Sequence, residues 1–114
     1  MSDCIFCKIA KGEIESKVVY KDDQLVAFED MRPRAPVHIV IIPKKHIERV
    51  SDIGEGETRL AGEMVAAAAK LAREKNIESS GYRLVMNCNK DAGQEVFHLH
   101  LHLMGGRKFK WPPG

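Results

Sequence analysis

The stretch VFHLHLHLMGG, residues 96–106, spaces three histidines one leucine apart. Successive side chains of an extended strand face opposite ways, so His98, His100 and His102 share one face while Phe97, Leu99, Leu101 and Leu103 share the other. One face builds a core and the other carries imidazoles. The remaining chain supplies neighbours for such a strand. KVVY at 17–20 and LVAFE at 25–29 read as strands joined by the turn KDDQ. MRPRAP holds two prolines that interrupt pairing, and HIVIIP at 38–43 resumes a strand until Pro43. YRLVMN at 82–87 precedes the polar loop CNKDAGQE and the histidine strand at 96–104.

Two segments have helical period instead. Between about 57 and 75, Leu60, Met64, Ala68 and Ala72 recur every four residues beside Ala61, Val65 and Leu71, which predicts one long helix. Residues 4–11 predict a short helix with Ile5, Phe6 and Ile9 on one side and Gly12 ending it. The sum is an α+β fold: an antiparallel sheet of about five strands, one face under the long helix, with a short N-terminal helix. Neither a repeat nor a linker divides it, so residues 1–114 form a single domain.

Composition narrows the function classes. With 114 residues, 44% hydrophobic and 30% charged, the chain has an ordinary globular make-up. Its net charge is +2 with scattered cations, which argues against a nucleic-acid partner and leaves room for a small anionic ligand. The N-terminus lacks the apolar run of a secretory leader, and nothing approaches the ~20 apolar residues of a membrane span, so the expectation is a cytoplasmic protein without a membrane role. Cys4, Cys7 and Cys88 are odd in number, which in a reducing compartment argues against a disulfide framework.

Three histidines invite a zinc reading, yet one strand places the alpha carbons of His98 and His102 about 13 Å apart, too far for three ligands on one ion. The three therefore divide their labour. A central imidazole attacking an electrophile, with neighbours that orient it, bind negative charge or protonate a leaving group, satisfies the pattern.

HLHLHLM resembles the signature of the histidine triad family. AFEDMRPRAPVHIVIIPKKHI and GYRLVMNCNKDAGQEVFHLHLH resemble that family's ribose-side and catalytic segments, and GGRKFKWPPG its nucleotide-binding branch. The resemblance implies a homodimeric purine nucleoside phosphoramidase that cleaves the P–N bond of adenosine 5′-phosphoramidate-type substrates, with AMP or GMP as product and no cofactor required for catalysis. It implies that His100 is the nucleophile, that His102 binds the phosphoryl group or protonates the amine, and that His38 supports the nucleophile's surroundings. Asp30 matches the ribose acceptor, Met31 an apolar neighbour of the nucleoside, Asn87 a polar contact to the phosphate region, and Gly93 and Gln94 the phosphate-side loop. Ile5, Phe6, Ile9 and Phe28 are candidates for the purine slot, though such residues also serve as plain core. Glu95 departs from the serine of better-known animal members; an ionised carboxylate cannot donate a hydrogen bond, which bears on leaving-group preference.

CIFC at 4–7 is a Cys-x2-Cys pair. By resemblance to some bacterial members, His46 and His98 would complete a structural zinc site with Cys4 and Cys7; free thiols packed as small apolar groups are the alternative. Hydrolysis of dinucleoside polyphosphates and a non-catalytic nucleotide- or zinc-binding interaction module are the competing functions.

Overall fold

The structure, a computed structural model, describes residues 3–114. Its elements run α1 (Ile5–Ala10), β1 (Val18–Lys21), β2 (Leu25–Glu29), β3 (Val37–Pro43), α2 (Thr58–Glu74), β4 (Tyr82–Val85) and β5 (Leu101–Gly105), with short 3₁₀ turns between them. The strands form one sheet in the order β1-β2-β3-β5-β4, every neighbouring pair antiparallel. The expected α+β architecture is present.

Alternation along the strands gives the sheet two unlike faces. Leu25, Ala27, Ile39, Ile41, Leu101 and Leu103 point to one side and pack against Leu60, Met64, Ala68, Leu71 and Ala72 of α2. Each branched side chain buried there contributes roughly 1.5–3 kcal/mol. Val65, on the same predicted stripe, is instead exposed. On the opposite side Val26, Phe28, Val40 and Ile42 meet Ile9 and Ala10 of α1, with Phe6 packed at the edge. Register continues this second face into a cross-strand row, Phe28–Val40–His102–Val85. A six-residue helix covers only part of that face, and the part over β5 and β4 stays open.

The histidine strand is shorter than the sequence suggests. Pairing begins at Leu101, not at 96, although His98 and Leu99 already face alternate sides. Upstream of 101 the chain is held by other bonds. Leu99 N–H donates to Ile47 O at 2.6 Å, and the Gln94 amide donates to Glu48 O at 2.8 Å and Val96 O at 3.1 Å. Phe97 leaves the leucine face altogether: it is 42% exposed, with the Arg49 guanidinium 5.1 Å over its ring. Beyond β5 the backbone passes close to its neighbours. A Cβ on Gly105 would lie 2.6 Å from Ile77 Cδ1, and Gly106, at φ +92°, would place one 2.9 Å from Pro36 Cβ.

Candidate functional site

The three histidines separate as their spacing requires, each into a different set of partners. His98 is fully buried and turns toward the N-terminus. Its Nε2–H donates to Pro43 O at 2.8 Å, which leaves Nδ1 as a lone pair facing Cys4 Sγ at 3.2 Å, Cys7 Sγ at 3.5 Å and His46 Nδ1 at 3.2 Å. Cys7 Sγ also lies 3.3 Å from His46 Nδ1. Four donors on one divalent cation at metal–sulfur ~2.3 Å and metal–nitrogen ~2.0–2.1 Å in tetrahedral array stand roughly 3.3–3.8 Å from one another. The four measured edges, 3.2–3.5 Å, lie at or just under that figure, and Pro43 O is the acceptor that would fix a ligating imidazole. Cys4, Cys7, His46 and His98 are thus assembled as a group able to hold a metal ion. Burial pushes the Cys7 thiol up and the His98 imidazole down, each disfavouring the charged ring or sulfur until something neutralises the cluster.

His100 is buried and donates Nδ1–H to His98 O at 2.7 Å, since a carbonyl can only accept. In the neutral ring this leaves Nε2 bare. The ring of Phe6 meets it edge-on at 5.1 Å and that of His102 at 5.0 Å.

His102 belongs to a chain of hydrogen bonds whose polarity is assigned by its first member. Arg34 N–H donates to His38 Nδ1 at 3.0 Å; His38 Nε2–H therefore donates to His102 Nδ1 at 2.9 Å; His102 is left with Nε2–H as a free donor. Burial, reinforced by His100 and His38, lowers His102 to about 4, so the ring is neutral at physiological pH. His38 is lowered as well, by burial, with the Asp30 carboxylate opposing and Arg34 assisting. His38 thus supports His102 rather than touching His100.

An open cleft of about 380 Å³ lies before His102, lined by Asp30, Arg32, Arg34, His38, Asn87 and Glu95 among others. Asp30 does two things at once: Oδ1 accepts from Arg32 N at 2.7 Å as a turn residue, while Oδ2 sits 3.5 Å from His38 Nε2. Gly93, at φ +84°, leaves one wall without a side chain. The amides of Gly93 and Gln94 are bonded inside the loop, to Lys90 O and Asn89 O, and the Gln94 side chain also accepts from Asn89 N–H, so Gln94 shapes the loop. Met31 is 92% exposed and Ile5 46% exposed; Ile5 does not join Phe6, Ile9 and Phe28 in the apolar wall. A larger hollow of about 470 Å³ between the first hairpin and α2, lined by Tyr20, Asp22, Glu63 and Lys70, contains neither histidine nor thiol. Volume alone does not locate the chemistry.

Sequence reasoning overlooked Arg34, whose contribution is a backbone amide, and Val85 and Met104, which line the cleft. Strand alternation from His102 would have found Met104; nothing in the sequence marks the amide of Arg34.

Fold and site together define an α+β protein in which a buried imidazole with a bare nitrogen adjoins a second imidazole whose ring lines an open polar cleft. The chain belongs to the HIT domain family, whose profile matches residues 11–109. It is 48% identical over 105 residues to a purine nucleoside phosphoramidase of Escherichia coli (strain K12), covering 92% of this chain and 88% of that one. Among solved structures it resembles a HIT family hydrolase from Legionella pneumophila Philadelphia 1, with TM-score 0.97 and 50% identity over 98% of this chain and 100% of that one. A Zn-bound histidine triad family protein from Mycobacterium smegmatis matches with TM-score 0.79 and 30% identity over 93% of this chain and 76% of that one.

Proposed function

We propose that the protein hydrolyses the P–N bond of purine nucleoside 5′-phosphoramidates through a nucleotidyl intermediate on His100. The observation that carries this reading is the His100 Nδ1–H bond to His98 O, which fixes the tautomer and leaves Nε2 available beside the His102 donor. Nε2 attacks phosphorus; the P–N bond breaks with its electron pair staying on nitrogen, which takes a proton from solvent and departs as the amine, and the positive charge developing on the ring is stabilised by the same carbonyl. His102 donates from Nε2–H to a phosphoryl oxygen. Its lowered pKa favours this hydrogen-bonding role over transfer of a full proton in the ligand-free site. Water then cleaves the nucleotidyl–imidazole bond and restores His100. The E. coli phosphoramidase at 48% identity supports the same activity here.

Asp30 Oδ2 would accept from ribose hydroxyls, Phe6, Ile9 and Phe28 would wall the base, and Asn87, Gly93 and Glu95 would frame the phosphoryl end, with Gln94 holding the loop behind them and Met31 and Ile5 exposed to solvent. Zinc on Cys4, Cys7, His46 and His98 would supply a structural crosslink between α1, the segment after β3 and the entry to β5. A homodimer is supported by the unpaired outer edge of β4, the exposed Val65 on α2 and the 82% exposure of Trp111, which does not fold back on its own chain. The free thiols of Cys4, Cys7 and Cys88 accord with a reducing, cytoplasmic setting.

The test is turnover of a fluorogenic adenosine phosphoramidate beside a diadenosine polyphosphate, with mass spectrometry of the trapped enzyme. Faster cleavage of the phosphoramidate and an adduct on His100 are expected; equal turnover by His100→Ala would overturn the assignment.

A further inference from the structure

Two routes connect the four-residue metal group to the nucleophile. The first is His98, which faces the thiols with Nδ1 while its main-chain carbonyl accepts the His100 Nδ1–H at 2.7 Å. The second is α1. Cys4 caps this helix, Cys7 lies inside it, and Phe6 between them sets its ring against His100 at 5.1 Å and Phe28 at 5.5 Å. A helix of six residues is too short to hold its shape by propensity alone, so its seat depends on what ties it down.

We propose that Cys4 and Cys7 are a site of reversible oxidation, at which a hydroperoxide converts the pair to a disulfide, expels the metal and releases both contacts that aim His100. In this step one S–S bond forms and the peroxide O–O bond breaks. The two sulfurs lose two electrons in total, the peroxide takes them up with two protons, and hydrogen peroxide leaves as two waters. The divalent cation passes to solvent. Metal-held cysteines are thiolates, the form that attacks peroxide. Cys4 is partly exposed, and its sulfur lies within 4.8 Å of that of Cys7. Residues three apart across a helical turn meet the ~4.4–6.8 Å alpha-carbon span of a disulfide. Once joined, the sulfurs are no longer thiolate ligands and only His46 and His98 remain. Cys88 stands outside the pair, its sulfur 3.3 Å from Ser51 Oγ.

The activity arm of the test rests on the phosphoramidase reading; the other arms do not. Zinc-loaded full-length protein carrying Cys88→Ser is titrated with hydrogen peroxide. A chromogenic chelator follows metal release, peptide mass spectrometry the disulfide, ¹⁵N NMR the His100 imidazole, and circular dichroism the sheet. Expected are metal release in step with a Cys4–Cys7 disulfide and a change in the His100 nitrogen signals with the sheet intact. A fall in kcat/KM of about 10-fold or more, the scale of outer-shell losses at metal sites, should reverse with dithiothreitol and zinc. Cys4→Ser should show altered His100 signals before any peroxide is added and no further response to it. A disulfide that leaves the His100 signals unchanged overturns the proposal, as does oxidation that spares this pair or melts the sheet. If the reduced, loaded protein fails to cleave the phosphoramidate, the functional reading falls, while metal release and the His100 signals still decide the oxidation site.

Discussion

At the scale of single residues, hydrogen-bond polarity decides what each imidazole can do. Arg34 N–H can only donate, so His38 must accept with Nδ1 and donate with Nε2, and His102 is left presenting a donor to the cleft. His38→Ala should therefore lower kcat more than it changes KM, since its main effect is to free the tautomer of His102; steady-state kinetics on the phosphoramidate checks this, with a loss of roughly 10- to 100-fold expected, the scale seen when a metal-bound imidazole loses its orienting partner. The lowered pKa of His102 also carries a stability consequence. A histidine whose folded value falls from 6.5 to about 4 binds fewer protons folded than unfolded between those values. It costs nothing above pH 6.5, and stability declines as pH falls toward 4. Thermal unfolding across that window should show a falling midpoint, and His102→Asn should flatten the decline.

At the scale of elements, the strand-and-helix plan was legible because alternation and four-residue period are imprinted by burial. Leu25, Ala27, Ile39, Ile41, Leu101 and Leu103 do face α2. Leu103→Ala should destabilise the fold by about 2–5 kcal/mol, the range for emptying a packed leucine site, read from denaturant unfolding. Gly106→Ala should cost far more than Gly56→Ala, because Gly106 combines a left-handed φ of +92° with Pro36 Cβ at 2.9 Å whereas the Gly56 position is open. The start of β5 was not legible, and the reason is specific. Between 94 and 99 the chain is tied by Gln94 amide bonds and the Leu99–Ile47 link in place of a strand ladder, and neither leaves a periodic trace. Ile5 misled for a related reason. Helical spacing put it beside Phe6 and Ile9, but a six-residue helix anchored through its cysteines buries only one narrow stripe. The site residues fared likewise: His100, His102 and Asp30 were visible as types in a pattern, whereas the amide of Arg34 has no side-chain signature.

At the scale of the whole molecule, the four residues able to hold a metal come from three segments far apart in sequence, at Cys4 and Cys7, at His46 and at His98. Removing bound zinc with a chelator should lower the thermal midpoint and unlock the N-terminal segment first, seen as faster amide exchange across Ile5–Ala10 than across α2. Sedimentation at micromolar concentration should give a dimer mass, and a monomer would remove the proposed assembly. The sheet also imposes a reading frame on the chemistry. From His98 to Leu103, greasy and basic side chains take turns on opposite sides of a single ribbon. Sliding the pairing of this ribbon by one residue would swap their addresses, turning the imidazoles toward α2 and the leucines toward α1 and the cleft. This motif should survive many exchanges of one leucine for another hydrocarbon, but no change of phase.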